Sequence, residues 1–235
     1  MKKLLTIAAA SLAFAAMAEY SAPRIGVTTI TATAKNTIIP VAFKALSDGT
    51  SDITVTDLVK TNSLPDGTWL LAYNGTAYNS WQYSGGAWVS GMYSSESGNS
   101  EGELDATATV GSALWIVLPD ENTYSTQVTI YGAYTTGITS SVSAGGNSAA
   151  VATLVANPLQ SVATITVSPV SGDQIIIPGQ EKIYSYRTNK SGTGNWRYDG
   201  ATASLPSFNM GEGFWYVRAA KAEATTISWA AEASE

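Results

Sequence analysis

The sequence predicts an all-β protein, and three observations carry that prediction. The first is composition. Of 235 residues, 45% are hydrophobic and only 13% charged, against a usual charged share of about 25%. Thr, Ser, Gly and Asn fill the polar positions, which suits the solvent face of strands and the turns between them. The second is period-two alternation: in Gly26–Ala34, Ile30, Ala32 and Ala34 alternate with Thr29, Thr31 and Thr33, as in a half-buried strand. The third is recurrence of aromatic blocks. WQYSG (Trp81–Gly85) returns as WRYDG (Trp196–Gly200), and GSALWIV (Gly111–Val117) returns as GEGFWYV (Gly211–Val217). The expected architecture is two tandem, homologous small domains, each a β-sandwich or barrel.

Residues 1–18 have the pattern of a cleaved signal peptide. Lys2 and Lys3 form a basic start, Leu4–Ala15 an apolar run, and Ala16-Met17-Ala18 a small-x-small cleavage site. The apolar run is shorter than the roughly 20 residues that span a bilayer. Its removal makes the chain more negative than the −6 of the full sequence. An acidic chain with scattered basic residues excludes the clustered positive face that nucleic acid requires. With no cysteine, stability must come from packing alone.

The first β repeat is placed at 19–134. Strand Gly26–Ala34 is followed by a turn at Lys35–Thr37 and by Ile38–Phe43, where Pro40 implies an edge or a bulge. Thr56 is expected to cap one helical turn over Asp57–Lys60. Strands follow at Trp69–Tyr73, Tyr78–Tyr83 and Ala87–Val89, with Asn74-Gly75 as a compact hairpin signal. Residues 90–106 form one long Ser/Gly-rich acidic loop, and Ala108–Leu118 and Gln127–Tyr131 complete the repeat.

The second repeat, 135–235, opens on Gly137–Ser140, which matches Gly26–Thr29, and continues with LVANPL (Leu154–Leu159), which matches IIPVAF (Ile38–Phe43). Further strands are expected at Ile175–Ile177, Lys182–Tyr186, Trp196–Tyr198, Phe214–Val217 and Thr225–Trp229. Nearly the same separation divides Ile38 from Leu154 and Trp81 from Trp196. A shorter one divides Trp115 from Trp215, which places an extra loop in the first copy.

The order LVANPL, W-x-Y-x-G, GEGFW resembles a family of secreted bacterial β domains of uncharacterised function, typically found in tandem behind a signal peptide. The likeness covers most of the chain after residue 18. It is best at Leu154–Leu159 and Gly211–Val217, and looser in the first copy. The resemblance implies export and duplication and supplies no active site.

The residue inventory narrows the chemistry. Histidine and cysteine are both absent, so Ser-His-Asp and Cys-His sites cannot be built, and no Ser-x-x-Lys spacing occurs. Gly211-Glu212-Gly213 lacks the length and the lysine of a phosphate loop. Glu212 is the best single carboxylate for a glycosidase pair, but no partner acid stands out and its counterpart is Ser112. The expectation is a non-enzyme without cofactor. Glu96, Glu101, Glu103 and Asp105 form a weak calcium candidate, set against a solvated acidic loop.

Seven Trp and 12 Tyr suit either core packing or a sugar-stacking platform. Trp115 and Trp215, in runs apolar on both faces, read as core. Trp88, Tyr93, Tyr83 and Tyr198 are the candidate ligand contacts, and Trp88 is singled out because no block of the second copy matches it. The function expected is that of an exported structural or adhesive protein of the cell surface or extracellular space, with the periplasm as another compartment. A glycan-binding module is one alternative. A self-assembling fibre or surface-layer subunit is another, with Gly26–Ala34 adding to a neighbour's sheet. Partners are accordingly surface glycans, surface proteins or the chain itself.

Overall fold

The computed structural model describes residues 23–32, 36–59, 64–94, 98–119, 125–159, 161–178, 180 and 182–232. The expected signal peptide lies outside them. The first part of the chain holds β1 (Ile25–Ala32), β2 (Asn36–Pro40), β3 (Phe43–Lys44), β4 (Ile53–Thr54) and one helical turn, α1 (Val55–Leu58). It continues with β5 (Trp69–Tyr73), β6 (Tyr78–Ser84), β7 (Ala87–Ser90), β8 (Ser100–Glu101), β9 (Thr107–Ala108), β10 (Ala113–Val117) and β11 (Thr126–Tyr134). The remainder holds β12 (Thr139–Val142), β13 (Val151–Ala156), β14 (Ala163–Val167), β15 (Gln174–Ile177), β16 (Lys182–Thr188), β17 (Gly194–Tyr198), β18 (Ala201–Thr202), β19 (Gly213–Arg218) and β20 (Thr225–Ala231). Among the described residues the protein is all-β apart from α1.

The strands form a three-stranded sheet β1-β11-β3 and a six-stranded sheet β2-β10-β5-β6-β7, with β8 beside β6. Further along lie a three-stranded sheet β12-β20-β14 and a six-stranded sheet β13-β19-β15-β16-β17-β18, and β4 pairs β9. All ladders between the strands are antiparallel except β6 with β8. Pro40 ends β2, which stands at the edge of its sheet, where a missing N–H costs no ladder bond. The helical turn starts two residues earlier than its sequence suggests. Thr54 is the cap, accepting from the Asp57 amide at 3.1 Å, while Thr56 donates its hydroxyl to the Leu104 carbonyl at 3.0 Å. The two-residue hairpin lies at Gly85-Gly86, both at positive φ between the paired Ser84 and Ala87. At Asn74 the side chain instead accepts from the amides of Thr76 and Ala77 and closes a wider turn.

Strand order corrects one sequence match. WQYSG lies on β6, the fourth strand of its sheet, whereas WRYDG lies on β17, the fifth strand of the other. Across β6 and β7, Tyr83 faces Trp88, and across β16 and β17, Tyr186 faces Trp196. Both pairs meet edge to face, with ring centroids 5.6 and 5.4 Å apart. Trp88 therefore occupies the place of Trp196. Trp81, opposite Leu70, occupies the place of Tyr184, opposite Ile175.

Two apolar cores result. One gathers Ile39, Phe43, Leu58, Leu70, Trp81, Trp88, Leu114, Ile116 and Ile130. The other gathers Val155, Ile175, Tyr184, Phe214, Tyr216, Ile227 and Trp229 with Phe208, whose ring lies 4.6 Å from that of Phe214. Fully burying such a side chain contributes roughly 1.5–3 kcal/mol.

The second core also contains a buried ion pair. Asp173 is fully buried and accepts from Arg218 Nη1 at 2.5 Å, the Tyr216 hydroxyl at 2.7 Å, and the amides of Ala219 and Val170 at 2.9 and 3.0 Å. Arg218 also donates to the carbonyls of Glu223 and Ser168. Burial, reinforced by the Asp173 carboxylate, pushes the Tyr216 hydroxyl well above its ordinary pKa, so it remains a neutral donor. At the same strand positions of the first core stand Thr68, Ile116 and Leu118. Removing one partner of a buried pair leaves an uncompensated charge, whereas replacing both with apolar groups is often neutral. Asp173→Ala is therefore expected to cost about 3–5 kcal/mol in urea unfolding. Asp173→Thr combined with Tyr216→Ile and Arg218→Leu should recover most of that loss.

Candidate functional site

Strands β10 and β19 alternate strictly. Leu114 and Ile116 point into the first core, and Phe214, Tyr216 and Arg218 into the second. The opposite faces carry Trp115 and Val117, and Trp215 and Val217, all half-buried. These faces meet. Ile38, Ala113, Leu154 and Ala156 form a separate buried cluster, with Trp115 and Trp215 packed on it. The two indoles lie 6.4 Å apart with their planes inclined by 36°. Close approach depends on Gly213, where a Cβ would stand 2.5 Å from Ile38 Cγ2. It depends equally on Gly111, at φ +91°, where a Cβ would stand 2.1 Å from the Thr139 carbonyl oxygen.

Trp115 borders two clefts along this junction. The larger, 510 Å³, runs between Ile30, Thr37 and Ile38 on one side and Ile177, Pro206, Asn209 and Glu212 on the other. The smaller, 320 Å³, is lined by Leu71, Tyr78, Tyr93, Ser94, Asn99 and Val117 together with both junction tryptophans. Aromatic side chains brace the smaller cleft from behind. Tyr73 packs edge-on against Trp215 at 5.0 Å and lies 5.2 Å from Tyr78, while Trp69 meets Tyr93 edge-on at 5.5 Å. Asn99 is held by accepting from the Tyr78 amide at 3.0 Å and donating to Ser94 Oγ at 2.8 Å. Burial, with Tyr73 alongside, raises the Tyr78 hydroxyl's pKa, which keeps it a neutral donor and acceptor. No charged side chain lines this cleft among the described residues.

Indole N–H groups usually find an acceptor when buried. Trp81 donates to the Glu103 carbonyl at 3.0 Å and Trp229 to Ser140 Oγ at 2.8 Å. Trp115 Nε1 is the exception: it is the one buried side-chain nitrogen or oxygen among the described residues with no hydrogen-bond partner.

The residues singled out from the sequence are dispersed. Trp88 and Tyr83 are each 6% exposed and pack on one another inside the first core, not at a contact surface. Trp88 was set apart for lacking a counterpart, yet it has one in Trp196. Tyr198 is exposed, stacked obliquely on Tyr184 at 5.4 Å, and lines neither cleft. Tyr93 alone of the four is both exposed, at 42%, and in the junction. Glu212 accepts from the Asn209 amide at 2.8 Å, capping its own turn, and is the only carboxylate lining the larger cleft among the described residues. Glu101, Glu103 and Asp105 are exposed, and Glu96 lies outside the described residues. No group of three potential metal-ligating side chains occurs among the described residues.

Sequence reasoning assigned Trp115 and Trp215 to the core, where both pack on the buried junction cluster, and did not foresee that both also line the smaller cleft. The available signal was the two-faced apolarity of their strands, which demands a second covering layer. No helix among the described residues is long and apolar enough to cross a membrane. Compared with known proteins, the chain matches no family model, no curated protein and no solved structure.

The positions of Trp88 and Tyr198 give opposite expectations for truncation. Trp88→Ala should lose about 3–5 kcal/mol of stability in chemical denaturation, as for a large core aromatic. Tyr198→Ala should stay within about 1 kcal/mol of the unsubstituted chain.

Proposed function

We propose that this is an exported, non-enzymatic adhesive or structural protein, built from two copies of one β domain that follow a signal peptide at residues 1–18. The copies are assigned to 19–134 and 135–235. The shared strand order of the two three-stranded sheets, and of five strands in each six-stranded sheet, supports duplication, as do the paired positions of Trp88 with Trp196 and of Trp115 with Trp215. The resemblance of LVANPL and GEGFWYV to tandem secreted bacterial β domains supports the same reading.

The observation that carries the contact function is the smaller junction cleft. Among the described residues its wall is largely aromatic and carries no charge, and Tyr93 is exposed there. Ligand sites favour such concave, largely apolar places at the seams between domains. A second reading, self-assembly, draws on β1. This strand stands at the edge of its sheet, with Ile25 and Val27 exposed at 69% and 55%. It also pairs along its whole length with β11, so donation to a neighbour would forfeit that ladder, and the open edge is the better acceptor.

Three measurements test the proposal. N-terminal sequencing of the exported protein should begin at Glu19. Light scattering should show no filaments, whose presence would move the reading to assembly. Tyr93→Ala should reduce adhesion to the surface of the producing cells about threefold or more, with the melting temperature unchanged. Equal adhesion by this variant would remove the cleft from the function.

A further inference from the structure

Building on the adhesive reading above, we infer that the smaller junction cleft is a saccharide subsite: it takes a neutral pyranose, stacked on the aromatic wall, with the Tyr78 hydroxyl and the Asn99 carboxamide pairing its hydroxyls. Three observations combine. The 320 Å³ volume lies at the lower end of small-ligand pockets, about 300–1,000 Å³. Its wall offers the rings of Tyr78, Tyr93, Trp115 and Trp215, against which the apolar C–H face of a sugar can be buried. Among the described lining residues the polar groups are neutral: the Tyr78 and Tyr93 phenols, Ser94 and the Asn99 carboxamide. Asn99 uses one carbonyl lone pair and one N–H within the protein, and a carboxamide has two of each.

These features discriminate among ligand classes. A charged ligand would enter a cleft with no opposite charge among its described lining residues, at high desolvation cost. A purely apolar ligand would leave the Tyr78 hydroxyl and the remaining N–H and carbonyl lone pair of Asn99 unmatched. A neutral ring with one apolar face and a rim of hydroxyls satisfies both requirements. The two halves supply the site jointly: Trp215 comes from one side of the junction, and the other residues from the other side.

The test uses the full exported chain in tryptophan-fluorescence titrations and saturation-transfer NMR. The probes are neutral gluco-, manno-, galacto- and N-acetylglucosamine oligosaccharides, with an oligouronate as the charged comparison. At least one neutral series is expected to bind and to perturb tryptophan emission, while the oligouronate does not. Tyr93→Ala, which removes an exposed ring, should weaken binding about three- to tenfold. Tyr78→Phe, which keeps a ring but removes the hydroxyl, should weaken it by a similar three- to tenfold factor. Both variants should melt like the unsubstituted chain, separating lost contact from lost fold.

The inference is overturned if no neutral oligosaccharide binds at up to about 10 mM, if both variants bind undiminished, or if the oligouronate binds more tightly. Its failure is distinguishable from failure of the adhesive reading. Adhesion that needs Tyr93 but that no neutral sugar competes away would reject the saccharide and keep the adhesive cleft. Adhesion indifferent to Tyr93, alongside sugar binding that depends on Tyr78, would reject the adhesive role and keep the subsite.

Discussion

Two strands with no polar face, β10 and β19, set the terms for the rest of the molecule. A sheet strand that is apolar on both sides needs cover on both sides, because each uncovered large side chain forfeits roughly 1.5–3 kcal/mol of burial. Leu114 and Ile116, like Phe214 and Tyr216, are covered by their own cores. Trp115 and Trp215 are covered by one another and by Ile38 and Leu154. The junction is thus a third apolar layer, and the glycines at 111 and 213 are what permit it. The clefts follow from the same geometry, since two twisted sheets that meet along one pair of strands diverge on either side.

The two cores reach stability by different chemistry on a matching framework. One closes with Thr68, Ile116 and Leu118. The other uses a carboxylate, a phenol and a guanidinium whose polar atoms satisfy one another and nearby backbone. Asp173 could not have been recognised from the sequence: preceded by Ser171-Gly172, it looks like an ordinary turn residue. Only the return of β19 beside β15 brings Arg218 to it.

Much of the strand layout was legible. Alternation located β1, the apolar runs located β10 and β19, and Pro40 limited β2 to an edge or a bulge. Boundaries followed side-chain competition that propensity does not resolve, as where Thr54 rather than Thr56 caps the helical turn. The aromatic blocks misled in one respect. W-x-Y-x-G recurs in sequence, but the hairpins differ in length, Gly85-Gly86 in one and Asn189–Thr193 in the other, so similar words fall on successive strands. The candidate site was half legible. Tyr93 was identified, whereas Trp115 and Trp215 were hidden by the very apolarity that brings them together, because a buried strand and a junction strand have the same sequence pattern.

The place of β20 bears on how the molecule transmits tension. β20 is the last strand described and lies in the middle of its sheet, bonded to β12 on one side and β14 on the other. β1, the first strand, is bonded on one side only. A pull entering through the chain beyond Glu232 must rupture two ladders together, whereas one entering before Arg24 can unzip a single ladder. The protein is mechanically polar: tethered through its C-terminal end it holds its load against both neighbours, and tethered through its N-terminal end it yields first at β1.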